Sequence, residues 1–351
     1  MNSSWGQALN ERGARIDSGR VIDFGDSTHE TQPVTRTALT AILSQGLLLA
    51  SGADAAAFLQ GQLSNDIAQV SRSHAQLSAY CTPKGRVLAT LLVWETGDHY
   101  AVELPRELCE PIRKRLQMYV LRSRVQLKDA SDQTAIIGLT GADASAVAKS
   151  ELGLELLSDY DVAHGDAVAA IALPGRRIQL IAELARGVEI WDRLARSCNA
   201  MGEDMWDARS VAAGIPVITA ATQDQFTPHM LNLDLLGGVS FDKGCYTGQE
   251  IVARTQYLGK VKRRLARFGT SGSVAPGNPV YADTAQVGTV VNAARSPTGE
   301  VELLAVTQTR ATQAGAASAG LHLGVEGPTL HPLDLPYEVP PTSAGTDTDR
   351  D

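Results

Sequence analysis

Residues 86–121 read RVLATLLVWETGDHYAVELPRELCEPIRKRLQMYVL, and the hydrophobic pattern changes twice within them. RVLATLLVWE is almost continuously apolar, as a strand covered on both faces is. Gly97-Asp98 interrupts it in the manner of a hairpin turn, and HYAVELP follows as a second strand. Beyond Pro105, the residues Leu108, Ile112, Leu116 and Val120 recur at helical spacing. A further strand, SAYCT, leads in through TPKG, where Pro83 and Gly85 suit a tight turn. The unit therefore reads as strands followed by a helix.

The same order returns in IALPGRRIQLIAEL (171–184) and GVEIWDRLARSC (187–198). Two such units point to two related α+β modules rather than an alternating parallel sheet. Upstream, Ser51 and Asp54 have the spacing of a capping box that opens a helix through Phe58, Leu59, Leu63 and Ile67. Downstream, EDMWDARSVAAG (203–214) reads as a helix stopped by Gly214, with Pro216 beyond. After Gly259, short β-rich runs alternate with Gly, Pro and Asn turns, which predicts a small all-β barrel with TLHPLDLPYEV as its returning strand. Residues 1–36, polar and without period, are expected to be a flexible extension, and 339–351 a disordered tail.

Of the 351 residues, 44% are hydrophobic and 20% charged, with a net charge of −8. That composition suits a globular protein of two or three domains and offers no global attraction to nucleic acid or anionic membrane. No apolar run approaches the roughly 20 residues of a membrane-spanning helix. Residues 1–35 carry five acidic side chains against three arginines and no apolar signal core, so a cytoplasmic location is expected.

Cys81, Cys109, Cys198 and Cys245 are scattered, without a C-x-x-C pair or zinc-finger spacing. Cys245 lies in KGCYTGQE, Lys243 to Glu250. Thr247 and Glu250 have capping-box spacing, so a helix is expected from Thr247 to near Gly259. Cys245 would then sit ahead of a helix N-terminus, where free N–H groups and the macrodipole favour a thiolate, with Lys243 adding a cation. A small buried filler beside ordinary helix punctuation explains the same residues, and a lone cysteine holds no iron–sulfur cluster by itself.

Residues 226–259, FTPHMLNLDLLGGVSFDKGCYTGQEIVARTQYLG, resemble the signature of the YgfZ family of folate-binding proteins, kin of the T-protein (aminomethyltransferase) of the glycine cleavage system. GADAAAFLQGQLSNDI (52–67), YCTPKGRVLATLLV (80–93), YVLRSRV (119–125) and AAGIPVI (212–218) extend the likeness over residues 40 to 338. It implies an α+β, three-lobed, aminomethyltransferase-like (GcvT-like) fold. Two interleaved α+β domains over 37–260 and a small C-terminal β-barrel over 261–338 would surround a central channel that binds tetrahydrofolate. It also implies a part in iron–sulfur cluster assembly or repair, with Fe–S client or assembly proteins as partners, tRNA-modifying enzymes among the clients. Cys245 matches the family's reactive cysteine, expected to work as a thiolate next to bound tetrahydrofolate, and Lys243 its neighbouring cation. Tyr246, Gln249 and Glu250 are expected near the same surface, among the folate-binding residues. No metal site is implied.

The alternative is a folate-dependent one-carbon transferase of unknown substrate. In aminomethyltransferases, the segment after the glycine matching Gly85 resembles G-x-[IV]-[LI]-D-D. Ala89 and Thr90 stand in place of those acids, and neither serves as a general acid or base, which argues against T-protein activity. A pterin needs an apolar or aromatic face and carboxylate or amide partners, and the glutamate tail needs cations. Trp206 and Arg209, one helical turn apart, are candidates. So are Asn65, Asp66, Lys84, Arg86 and Arg122, the last alternating with Arg124 along an expected strand. Each has an ordinary alternative: core for Trp206, a helix-end carboxylate for Asp66, solvated turn charges for Lys84 and Arg86. Lys260, Lys262, Arg263, Arg264 and Arg267 put five cations in eight residues. With few aromatics interleaved, a solvated face or inter-domain contact is expected over direct nucleic-acid binding.

Overall fold

The computed structural model describes residues 4–25, 37–296, 299–309 and 320–340. Its body is two facing sheets that exchange chain. β3 (Ala38–Ala41) starts the first sheet, and three residues later β4 (Gln45–Ser51) is in the second. There it joins β5 (Gln76–Cys81), β6 (Val87–Thr96), β7 (His99–Pro105) and β8 (Gln126–Asp129) in the order β5-β6-β7-β4-β8. The chain then returns to the first sheet with β9 (Thr134–Thr140), β10 (Val162–Gly165), β11 (Val168–Leu173), β12 (Arg177–Glu183) and β13 (Asn199–Met201), ordered β10-β11-β12-β9-β3-β13. The two strand–strand–helix units are thus one per sheet.

The continuous apolar strands are explained by cover on both faces. Between the sheets lie Ile42, Leu47, Trp94, Ile136, Ile171, Ile181 and Trp206. Outside the second sheet pack α2 (Ala55–Gln62) and α3 (Arg106–Val120), the latter through Leu108, Ile112, Leu116 and Val120. Outside the first pack α4 (Ala144–Leu152) and α5 (Leu184–Leu194). Each large apolar side chain fully buried in these layers contributes roughly 1.5–3 kcal/mol.

A closed barrel follows, of β14 (Arg263–Thr270), β15 (Pro279–Ala282), β16 (Ala285–Arg295), β17 (Val301–Gln308), β18 (Leu321–Leu323) and β19 (Thr329–Leu333). β19 is the expected returning strand: it closes on β14 with Arg267 opposite Leu333. Phe268, Val280, Val290 and Leu303 fill the interior. Between body and barrel run α6 (Glu203–Ala212) and α7 (Gln249–Leu258).

Three expectations are corrected. Residues 4–25 are folded: α1 (Ser4–Asn10) and the hairpin β1 (Arg15–Asp17)–β2 (Arg20–Asp23) pack on the first sheet. Trp5 and Leu9 are buried, Phe24 stacks on Trp191 at 5.1 Å, and buried Glu203 accepts the Val21 and Leu43 N–H groups at 2.9 and 3.1 Å. Elements this short leave no period to read. Neither capping box forms: Asp54 accepts Arg124 N–H instead, and Gly248 occupies the cap of α7 at φ +88°. Residues 121–124 are a turn rather than a strand, with Leu121 at φ +47°. The remainder of the 1–36 expectation, and the tail from 341 onward, lie outside the described residues.

Candidate functional site

Where both sheets and α6 converge, charged and amide side chains interrupt the apolar strands. Along β12, Ile178 and Leu180 enter the outer core, so Arg177 and Gln179 face the other sheet, as Ile181 does. Along β7, Glu103 shares that inner face with Ala101 and is paired across strands with Leu92. Glu103, Arg177 and Gln179, with Thr90, Tyr160 and Trp206, line a cavity of about 90 Å³. An outer chamber of about 540 Å³ adjoins it, sharing Gln45, Pro105, Asp207, Ser210 and Val217 as lining. The chamber's wall is completed by Arg20 of the N-terminal hairpin, Arg106 of α3, and Asn292 of the barrel. All three lobes therefore meet around one central channel.

The channel's chemistry is set by burial. Glu103 is buried and receives a hydrogen bond from Gln179 Nε2 across the gap between sheets. Desolvation outweighs that bond and the charge of Arg177, and pushes its carboxyl up to about 7. Burial likewise lowers the Arg177 guanidinium to about 10. Arg177 lies 4.9 Å from the centroid of the Trp206 ring and donates to Pro174 O at 2.8 Å and to Ser210 Oγ. Gly138 lies directly under Trp206, where any Cβ would strike the indole. At the mouth, Arg20 pairs with Asp207 at 2.5 Å. The result is an aromatic face, a carboxyl poised near neutrality, an amide and a cation within one apolar wall.

Of the residues singled out in the sequence, Trp206 lines this channel and Arg209 does not. Its place is taken by Arg177, and Glu103 and Gln179 were missed with it. Their signal was there: charged and amide side chains at alternate positions inside otherwise apolar strands. Asn65 is structural, donating to Leu77 O and Gly237 O at 2.8 and 2.7 Å. Asp66 caps the short turn Ile67–Gln69 and accepts from Gln60 Nε2, the bond that chiefly holds its carboxyl below the usual range. Arg122 is exposed in the turn after α3, away from the channel.

The signature loop forms a separate place. Gly248 and Gly85, both at positive φ, bring the loop against the Thr82–Gly85 turn; a Cβ on Gly248 would meet Thr82 O. Cys245 is exposed on this loop, four residues ahead of α7, with Glu250 exposed in the helix's first turn. Lys84 is exposed on the facing turn, and Arg86 donates to Gln225 O at 2.7 Å. Gln249 turns back, its Oε1 3.3 Å from Tyr246 N. Lys243, expected to stand by the thiol, is instead buried. Its ammonium donates to Gln60 O, Leu63 O and Asn65 O at 2.7, 2.7 and 2.8 Å, capping the C-terminal end of α2. Desolvation lowers it to about 8, against the pull of Asp66. It lies 5.1 Å from the Tyr246 ring, whose buried hydroxyl is raised by desolvation. Lys243 thus fixes the loop that presents Cys245. Among the described residues, no group of three His, Cys, Asp or Glu side chains is placed to hold a metal, and no helix is long and apolar enough to cross a membrane.

Comparison with known proteins agrees with this architecture. No family model matches the chain. The tRNA-modifying protein YgfZ of Shigella boydii is 34% identical over 229 residues, 64% of this chain and 70% of that protein. The protein of the same name from an Enterobacter species is 34% identical over 252 residues, 70% and 77% of the two chains. Among solved structures, the glycine cleavage system aminomethyltransferase T of Bartonella henselae superposes with a TM-score of 0.77 over 94% of this chain at 14% identity. The fold is therefore the aminomethyltransferase fold, α+β with a closed six-stranded barrel.

Proposed function

The chain belongs to the YgfZ family, and on that premise we propose that it is a cytoplasmic, tetrahydrofolate-binding accessory protein for iron–sulfur cluster assembly or repair, serving enzymes that include tRNA-modifying ones. The observation that carries the folate part is the buried Glu103–Gln179–Arg177–Trp206 group in the central channel. It fits a folate by chemistry. A pterin presents a guanidine-like edge that a carboxylate and an amide recognise, and an aromatic plane that Trp206 can face. Arg20 and Arg106, in the outer chamber, would meet the anionic glutamate tail. Bound there, folate supplies a one-carbon carrier; the protein's residues orient it and exclude water.

Cys245 is the second working part. It is exposed on a loop whose geometry is held by Lys243 from beneath and by two left-handed glycines. A thiol so presented is available to a partner protein or to a cluster in transit, and takes its further ligands from elsewhere. The test is restoration of an Fe–S client enzyme in cells lacking this protein. The unchanged chain restores it; Cys245→Ser and Gln179→Leu each fail while folding normally. Full restoration by both variants contradicts the reading.

Glu103 favours one second reading. It places a carboxyl near neutrality in the same cavity as Thr90, so the acid absent from the expected position reaches the channel from the neighbouring strand. A one-carbon transferase built this way transfers from an aminomethyl donor to tetrahydrofolate and loses that turnover, but not folate binding, in Glu103→Gln.

A further inference from the structure

A second cavity, of about 510 Å³, lies where the barrel meets the body and shares no lining residue with the central channel or its outer chamber. The five-cation run divides around it. Arg264 pairs with Asp234 through contacts of 2.6 and 2.9 Å, and Arg267 pairs with Glu302 at 2.5 Å. Lys260, Lys262 and Arg263 remain exposed, form no ion pair among the described residues, and all three line the cavity. Arg86 joins them from the turn before β6.

No Asp or Glu is among the described lining residues, although the chain carries a net charge of −8. Like charges gathered around a concavity repel one another and focus a positive potential into it, an arrangement that an anion relieves. His229 also belongs to the lining. It is 1% exposed; its Nε2 lies 3.0 Å from Gln256 Oε1, and its Nδ1 has no partner among the described residues. Phe226 and Met230 supply an apolar wall beside the cations.

We infer that this cavity binds a small phosphate ester of nucleotide size, its phosphates on Arg86, Lys260, Lys262 and Arg263 and its organic part against Phe226 and Met230. The size falls within the roughly 300–1,000 Å³ of small-molecule sites. Phosphate matches the donor set better than a single carboxylate, since its charge and several acceptor oxygens engage an arginine fork and lysine ammoniums together. The inference is independent of folate binding in the channel.

The test is calorimetric titration of the full chain with ADP and, separately, inorganic pyrophosphate, at about 50 mM and about 200 mM salt. Saturable one-to-one binding that weakens with salt is expected. The Lys260→Gln/Lys262→Gln double variant, changed only at exposed positions, should bind roughly 10- to 100-fold more weakly. Lys114→Gln, at an exposed position on α3, should bind as the parent does, and tetrahydrofolate binding should be the same in all three proteins. Absence of saturable binding by either probe overturns the inference, as does equal affinity in the double variant. Binding of a short RNA with none of ADP or pyrophosphate also overturns it, and assigns the cations to a nucleic-acid surface.

Discussion

Replacing Glu103 by Gln removes the titration of the channel's buried carboxyl while keeping its shape. Desolvation raises that carboxyl from 4.5 to about 7. A raised acid contributes stability that is fully present below the unfolded value and is lost as pH climbs through the folded one. At roughly 1.4 kcal/mol per unit the whole effect is on the order of 3 kcal/mol, most of which falls between pH 5 and pH 8. Glu203 and Asp207, raised by burial, move with Glu103, whereas His229, lowered by burial, moves against it. The difference between parent and variant isolates Glu103. Urea unfolding followed by tryptophan fluorescence suits the measurement, because Trp5, Trp94, Trp191 and Trp206 all lie in the two-sheet body. Glu103→Gln should show a pH-dependent loss smaller by roughly 2–3 kcal/mol, and be the more stable protein at pH 8. Parallel curves for the two proteins would refute the reasoning, since Glu103 would then be ionised in the folded state at no cost.

Lys243→Met leaves carbonyls of Gln60, Leu63 and Asn65 without their donor and should destabilise by about 3 kcal/mol in the same assay; an unchanged stability would return Lys243 to the role of the thiol's cation. Cys245→Ser, at an exposed site, should shift stability by less than about 0.5 kcal/mol while abolishing support of Fe–S clients. Trp5→Ala should cost about 3 kcal/mol or more and open Arg12 and Arg15 to trypsin, because Trp5 is 2% exposed against Trp191; resistance equal to the parent's would mean the N-terminal segment is held by other contacts.

The fold was legible wherever period and burial agreed. Residues 86–121 showed their two strands and helix because cover on both faces makes a strand continuously apolar, and the helix keeps Leu108, Ile112, Leu116 and Val120 inward. What sequence could not show was which sheet a strand joins: nothing in Ala38–Ser51 marks the crossing from one sheet to the other within three residues. The T-x-x-E spacing at 247–250 misled because a close backbone approach between Gly248 and the Thr82–Gly85 turn took precedence over side-chain capping. Lys243 is near Cys245 along the chain, but its ammonium is held by the carbonyls of Gln60, Leu63 and Asn65 at the end of α2. The channel's polar group combines strands more than seventy residues apart, and only the packed sheets bring Gln179 onto Glu103.

On the proposed function, folate occupies the channel and the thiol works apart from it. Anaerobic calorimetric titration with tetrahydrofolate, on the parent, Cys245→Ala and Trp206→Ala, tests this most directly. Saturable binding by the parent, equal binding by Cys245→Ala, and a loss of roughly tenfold or more in Trp206→Ala are predicted. Loss of binding with the thiol, or none in the parent, would contradict it.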